Sequence, residues 1–173
     1  ESIDRTAECV LAASREKVSA DTSDDPACFS GSQAQHRIDF TVDGLSDMTD
    51  DQLLALAESD PNANLVLARR HSNDPEIANN HIERAMALSG KAGPVQMLQA
   101  TDNIPRMAHA LEVLVTSKEL GRQIDPMILA TFRHGLTDDL QVLAEERAYQ
   151  RADRIKRLRK DLVGKPWGAQ NGE

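Results

Sequence analysis

Histidine and carboxylate side chains are the groups in this sequence that could hold a metal ion or transfer protons. A metal site on a helix needs ligands three or four positions apart, and none of the five histidines has another histidine at that spacing. His109 and Glu112 lie one helical turn apart, which favours a polar contact over a metal site. The sequence therefore predicts neither a metal nor a cofactor.

Catalytic motifs give no clearer signal. The neighbouring acids Asp138-Asp139 and Glu145-Glu146 would point to different sides of a helix rather than into one site. No serine stands in a strand-turn-helix elbow, and no glycine spacing is suited to binding phosphates. The sequence does not predict an enzyme, and a cell-envelope enzyme that acts on cell-wall glycan through dispersed carboxylates stays open as an alternative.

A dense group of cationic and amide side chains is the best candidate for recognition. Arginine presents a fork of donors that is favoured at binding surfaces, and asparagine can hydrogen-bond to a peptide backbone. The alternative is a helix C-terminus with cations that complement its dipole, followed by a polar turn. The predicted binding residues are Arg69, Arg70, His71, Asn79, Asn80 and His81.

Helix-start signals show which elements must position these residues. Asp-Pro occurs four times, at Asp25, Asp60, Asp74 and Asp125, and it suits a helix start because Asp accepts from free amides while Pro needs no partner. Thr49 with Gln52 forms a capping-box signature. Gly90 and Gly121 follow apolar series as helix stops, and Gly164 precedes Lys165-Pro166 as another.

These signals predict an all-α fold of antiparallel helix hairpins, either repeat-like or an irregular helical bundle, with a long C-terminal helix. One domain spans 1–173. It is divided into an N-terminal helix with an extended arm (1–45), repeat-like hairpins (46–122), and C-terminal helices with a tail (123–173). We place the helices near 3–18, 49–58, 61–72, 75–89, 93–101, 105–121, 126–135 and 137–163.

The segment "DPNANLVLARR", the turn "DPEIA" and the segment "HIERAMALSG" form a predicted hairpin. Ala63, Leu67 and Ala68 would face inward on its first helix, and Ala78, Ile82, Ala85 and Met86 on its second. About thirty-one residues later "KAGPVQMLQA" restarts the pattern. The stretch resembles the Sel1-like and tetratricopeptide repeat families. The resemblance implies a scaffold that binds proteins or peptides in a groove, without catalytic residues.

The charge of the chain is unevenly distributed. The net charge is −8, yet the stretch 147–165 carries eight Lys or Arg against two Asp. The acidic remainder argues against general nucleic-acid binding. The apolar residues of this stretch lie near helical spacing: Tyr149, Ile155, Leu158 and Leu162. We interpret its cations as a solvated helix face that pairs with the acidic body. The alternative is a docking surface for an acidic partner or a phosphate-rich ligand.

The prediction of the cellular compartment depends on the two cysteines, Cys9 and Cys28. In an oxidising compartment they could form a disulfide, whereas in a reducing cytosol they would only pack as thiols. We expect the disulfide and a periplasmic or secreted bacterial protein without a membrane span. The sequence begins without Met, and removal of a leader and trimming of the chain both stay open as explanations. The predicted function is a non-enzymatic, protein-binding adaptor, or an inhibitor or immunity-type protein, of the cell envelope. A cytoplasmic effector or regulator that uses the basic C-terminal helix is a further alternative.

Overall fold

The computed structural model describes residues 10, 44–100 and 103–168 of the chain. All regular elements in this part are helices: α1 (Asp50–Leu56), α2 (Pro61–Arg70), α3 (Pro75–Ser89), α4 (Pro94–Gln99), α5 (Arg106–Glu119), α6 (Pro126–His134) and α7 (Asp138–Val163). The all-α prediction is confirmed, and so is the long C-terminal helix. Apart from Val10, which is helical, the predicted helix near 3–18 lies outside the described residues. So do both cysteines and the extended arm except its last two residues.

Local capping explains where the helices begin. The carboxylates of Asp60, Asp74 and Asp125 accept from amides of the first turns of α2, α3 and α6, at 2.8, 3.3 and 2.9 Å. Proline follows each of them at the first helical position, where its fixed φ suits the helix and no amide is lost. Thr49 and Gln52 form the predicted capping box at α1, with each side chain accepting from the other residue's amide.

Helix α2 packs between two neighbours. Ala63 and Leu67 are fully buried in a minor core with Leu53 of α1, while Leu65 and Ala68 belong to the main core. The predicted inward residues of the hairpin are therefore all buried. Sequence reasoning placed Ala63 and Leu67 in the α2–α3 contact, but they face the α1 side because α2 buries two faces of its surface.

The main core is formed where α7 packs against both α5 and α3. The buried small residues Ala144, Ala148 and Ala152 allow α7 to approach these helices closely, and Ile155 continues the same stripe. The apolar stripe predicted for this helix was partly wrong, because Tyr149 is 48% exposed. Val10 is also fully buried in the main core.

The basic C-terminal helix is only partly the solvated face that was predicted: Arg154 and Arg157 are exposed, and Arg154 pairs with Glu83 of the body. Arg151 and Arg159 are 3% and 1% exposed, so part of its charge points into the molecule. Arg159 donates to the carbonyl oxygens of Ala87 and Leu88, at 2.9 and 3.4 Å, near the C-terminus of α3. A guanidinium there satisfies helix-end carbonyls and complements the helix dipole. None of the described helices combines the length and the apolar character needed to cross a membrane.

Candidate functional site: an arginine-lined cleft

Three arginines of α7 form one wall of a surface cleft. Arg147, Arg151 and Arg154 are spaced four and three residues apart, which places them on one face of the helix over two turns. The hydroxyl of Thr137 begins this helix by accepting from the Leu140 amide at 3.4 Å. The long helix is thus fixed at its start and along its alanine stripe, and it presents the three guanidinium groups toward α3 and α5.

Two buried carboxylates face these arginines. Glu83 of α3 is 4% exposed and Glu112 of α5 is 3% exposed. Arg154 donates to Glu83 Oε1 through Nε and Nη2, at 3.2 and 2.9 Å. Arg147 donates from Nε to Glu112 Oε1 at 3.0 Å. A buried carboxylate is costly without such a partner, so these pairs link α7 to both neighbouring helices.

Arg151 lies between the two pairs and is poorly satisfied by the protein. Its Nη2 donates to Asn79 Oδ1 at 2.6 Å. Its Nε is 3.7 Å from Glu83 Oε1 and its Nη1 is 3.8 Å from Glu112 Oε2, distances that allow attraction but not hydrogen bonds. The buried Nε has no hydrogen-bond acceptor.

The environment of Arg151 changes its protonation energetics. Burial lowers the pKa of the Arg151 guanidinium, the carboxylates of Glu83 and Glu112 oppose that effect, and the cations Arg154 and Arg147 add to it. The net direction is downward. The group still carries its charge at neutral pH, because guanidinium is not deprotonated in proteins. A charged fork with unsatisfied donors therefore lies in a nearly dry setting.

Glu112 is also held by His109 on the same helix. His109 Nδ1 is 3.2 Å from Glu112 Oε2, and its Nε2 is 3.0 Å from the Met97 carbonyl oxygen. Both partners are acceptors, so a neutral ring with one N–H satisfies one of them and a doubly protonated ring satisfies both. Burial raises the pKa of the Glu112 carboxyl, but the His109 hydrogen bond and the charges of Arg151 and Arg147 outweigh burial and lower it.

The cleft has a volume of about 370 Å³ and opens to the surface. Its walls come from the first turns of α3 together with α5 and α7. Apart from one proline, every lining side chain is charged or carries an amide. The lining residues are Pro75, Glu76, Asn79, Asn80, Glu83, Glu112, Arg147, Arg151 and Arg154. Guanidinium groups in such a setting can bind carboxylate or phosphate oxygens through paired hydrogen bonds.

The six binding residues predicted from sequence fall into separate places. Asn79 and Asn80 line the cleft. Arg70 instead reaches α1, where it donates to Asp50 Oδ1 at 2.8 Å and to the Ser46 carbonyl oxygen at 3.0 Å. His71 Nε2 also approaches Asp50, at 3.5 Å from Oδ2. Hydrogen bonding to Arg70 is the main cause that lowers the pKa of the Asp50 carboxyl.

The other two predicted residues belong to neither place. His81 lies against α2, with Nδ1 3.0 Å from Asn64 Oδ1, and burial is the main cause that lowers its pKa. Arg69 is exposed near the end of α2. The charge of His71 also lowers the pKa of His81, so these two predicted residues lie near each other. The contacts of the six residues thus involve the cleft, α1 and α2.

Sequence reasoning missed the arginines of α7 and both buried acids as site residues. One signal was present: Arg147, Arg151 and Arg154 share a helical face, and Arg151 is adjacent to the alanine stripe that proved to be buried. A cation at the edge of a buried stripe needs a partner inside the protein. The one-turn spacing of His109 and Glu112 predicts a polar contact, and the structure confirms it. Among the described residues, no group of three or more His, Cys, Asp or Glu side chains is placed to hold a metal ion.

Comparison of the chain with known protein families, curated proteins and solved structures finds no match. The resemblance to Sel1-like and tetratricopeptide repeats therefore stays a prediction.

Proposed function

We propose that this protein is a non-enzymatic binding protein, of the adaptor or inhibitor type, that recognises a partner protein through the arginine-lined cleft. The observation that carries the proposal is Arg151. It is a buried cation that lines the cleft, and Asn79 supplies its one hydrogen bond shorter than 3 Å. A buried guanidinium has five donors to satisfy, and a partner can supply acceptors that this protein does not.

The polar character of the cleft supports a protein partner over a small apolar ligand. Pockets for small molecules are lined mainly by apolar and aromatic side chains, with a few polar groups. Here charged and amide side chains form nearly the whole lining. Arginine at the centre of a desolvated patch is also a frequent main contributor to binding energy at protein interfaces.

The same cleft gives little support to the alternative of an enzyme acting on glycan. Such an enzyme keeps one carboxyl protonated as the acid, which requires a raised pKa. The pKa of Glu112 is lowered instead, and both of its oxygens are engaged by neighbouring side chains. Glu83 is likewise held by Arg154. Their role in this proposal is to hold the arginines in place.

The alternative of an effector that docks through its basic terminal helix is also less favoured. Arg147 donates to Glu112 of α5, and Arg159 caps α3. These two cations of the stretch are therefore held against the body rather than left as part of an open basic face.

The cell-envelope location is part of the proposal and depends on Cys9 and Cys28. The test is alkylation of the native protein, freshly isolated from its host, with and without reductant, followed by mass spectrometry. Thiols blocked only after reduction would support the envelope location. Thiols that react without reductant would place the protein in a reducing compartment.

Partner capture with matched charge reversals tests the binding function. Arg154→Glu changes the cleft, and Arg157→Glu makes the same charge change on an exposed position of α7 that does not line the cleft. We expect a partner cross-linked to the wild-type protein in envelope extracts to be lost with Arg154→Glu and kept with Arg157→Glu. A partner retained by both variants, or repeated failure to recover one, would contradict the proposed function.

A further inference from the structure

The cleft contains one guanidinium group, that of Arg151, whose donors are incompletely satisfied. Arg151 lies at its centre with Nε unbonded, and the nearest carboxylate oxygens are 3.7 and 3.8 Å from its nitrogens. Arg154 lies beside it with half of its side chain exposed, although it also contacts Glu83. One guanidinium is therefore buried and incompletely bonded, and its neighbour is open to solvent. Both residues line the cleft that an acceptor would enter.

The net charge of the arginines and the buried glutamates that line the cleft indicates which charge a ligand would carry. Three guanidinium groups, from Arg147, Arg151 and Arg154, face two buried carboxylates, from Glu83 and Glu112. One positive charge is left over. A single carboxylate neutralises it, whereas a doubly charged phosphate leaves the cluster negative beside two buried acids. Glu76 adds a negative charge on the rim, which makes the whole lining neutral; water and salt screen it, as they screen the half-exposed Arg154.

The surroundings of the arginines fit a peptide. Asn80 is exposed at the rim, and its amide can donate to and accept from the backbone on either side of a bound side chain. The planar guanidinium fork matches the two oxygens of a carboxylate.

We propose that the cleft binds one carboxylate side chain from an acidic segment of the partner protein, with Arg151 and Arg154 as the donors and Asn80 contacting the adjacent backbone. This inference rests on the proposed function, because it names the chemical group by which the partner is recognised.

The test compares short capped peptides on the full chain. Each carries a fluorophore and the same alanine-rich sequence, with Glu, Gln or phosphoserine at the central position, and fluorescence anisotropy reports binding. We expect the Glu peptide to bind at least tenfold more tightly than the Gln peptide and more tightly than the phosphoserine peptide. Equal affinity for Glu and Gln, or tighter binding of phosphoserine, would overturn the inference.

Variants at Arg154 and Arg157 test whether the Glu peptide binds in the cleft. Arg154→Ala is expected to weaken Glu-peptide binding about tenfold, Arg154→Lys to restore part of it by charge alone, and Arg157→Ala to leave it unchanged. The thermal midpoint of each variant checks that it is folded. Glu-peptide binding that is insensitive to Arg154→Ala in a folded variant would also overturn the inference.

The peptide experiment tests this inference, and the capture experiment tests the proposed function, so a negative result in one does not decide the other. Cleft-dependent capture of a partner without a preference for the Glu peptide would remove this inference and leave the proposed function. Binding of the Glu peptide without any captured partner would count against the proposed function alone.

Discussion

Gly90 is the position where a single methyl group should disturb the contact between α3 and α7. It ends α3 with φ of +68°, a left-handed conformation that residues with a Cβ adopt at a cost. A Cβ added there would lie 2.8 Å from Cζ of Arg159 and 2.9 Å from its Nη1. Arg159 cannot move freely, because it is 1% exposed and donates to Ala87 and Leu88. Gly90→Ala therefore adds backbone strain and displaces a buried cation.

The expected loss follows from these two effects. The left-handed conformation costs an alanine about 1–2 kcal/mol. Displacing Arg159 weakens charge-assisted hydrogen bonds, each of which contributes about 1.5–3 kcal/mol. Allowing for partial adjustment, Gly90→Ala should lower the free energy of unfolding by about 2–4 kcal/mol. For a chain of this size the midpoint of thermal unfolding should fall by roughly 5–15 °C.

Gly164→Ala is the matched control. Gly164 ends α7 with φ of +73° and the same type of capping hydrogen bond, but a Cβ there would have no atom within 4 Å. It should lose about 1–2 kcal/mol through backbone strain alone. Urea unfolding of both variants, alone and combined with Arg159→Ala, measures the difference. Equal losses at the two glycines, or a Gly90→Ala effect that persists in full without the Arg159 guanidinium, would refute this reasoning.

Three further changes test the buried polar contacts. Glu112→Gln should lose about 3–5 kcal/mol at neutral pH in urea unfolding, because it leaves arginine charge buried. Because folding lowers the pKa of Glu112, its carboxylate stabilises the folded protein above the unfolded-state pKa, and this stabilisation is lost as the pH falls through the folded-state pKa. The free energy of unfolding of Glu112→Gln should therefore depend less on pH in the acid range than that of the wild-type protein. Asn64→Ala should cost about 1–3 kcal/mol by calorimetry, since its Nδ2 donates to the buried Ala57 carbonyl at 2.8 Å. Trp167→Phe should cost about 1 kcal/mol in the same assay, because its Nε1 donates to the Leu120 carbonyl at 2.7 Å; changes near zero would contradict the last two.

The helices could be predicted from the sequence because their ends depend on neighbours in the chain. An Asp-Pro pair or a Thr with Gln three positions later carries its capping partners within one turn, so Asp60, Asp74 and Thr49 identify helix starts without knowledge of the fold. The buried face of α3 could be predicted for the same reason, because its apolar residues recur at helical spacing within one short segment of the chain.

The cleft could not be predicted in this way. Arg154 and Glu83 are 71 positions apart, and Arg147 and Glu112 are 35 apart. Their pairing depends on how α7 packs against α3 and α5, which helical periodicity does not specify. The partner of Arg70 could not be predicted for a similar reason, because sequence proximity in a hairpin did not reveal that α1 would supply Asp50.

The most direct measurement of the central claim is NMR of the arginine Nε–H signals during titration with the Glu peptide. We expect the signals of Arg151 and Arg154 to move and that of Arg157 to stay in place, and we expect the Gln peptide to move none of them. Unmoved Arg151 and Arg154 signals at a saturating concentration of the Glu peptide would contradict this claim.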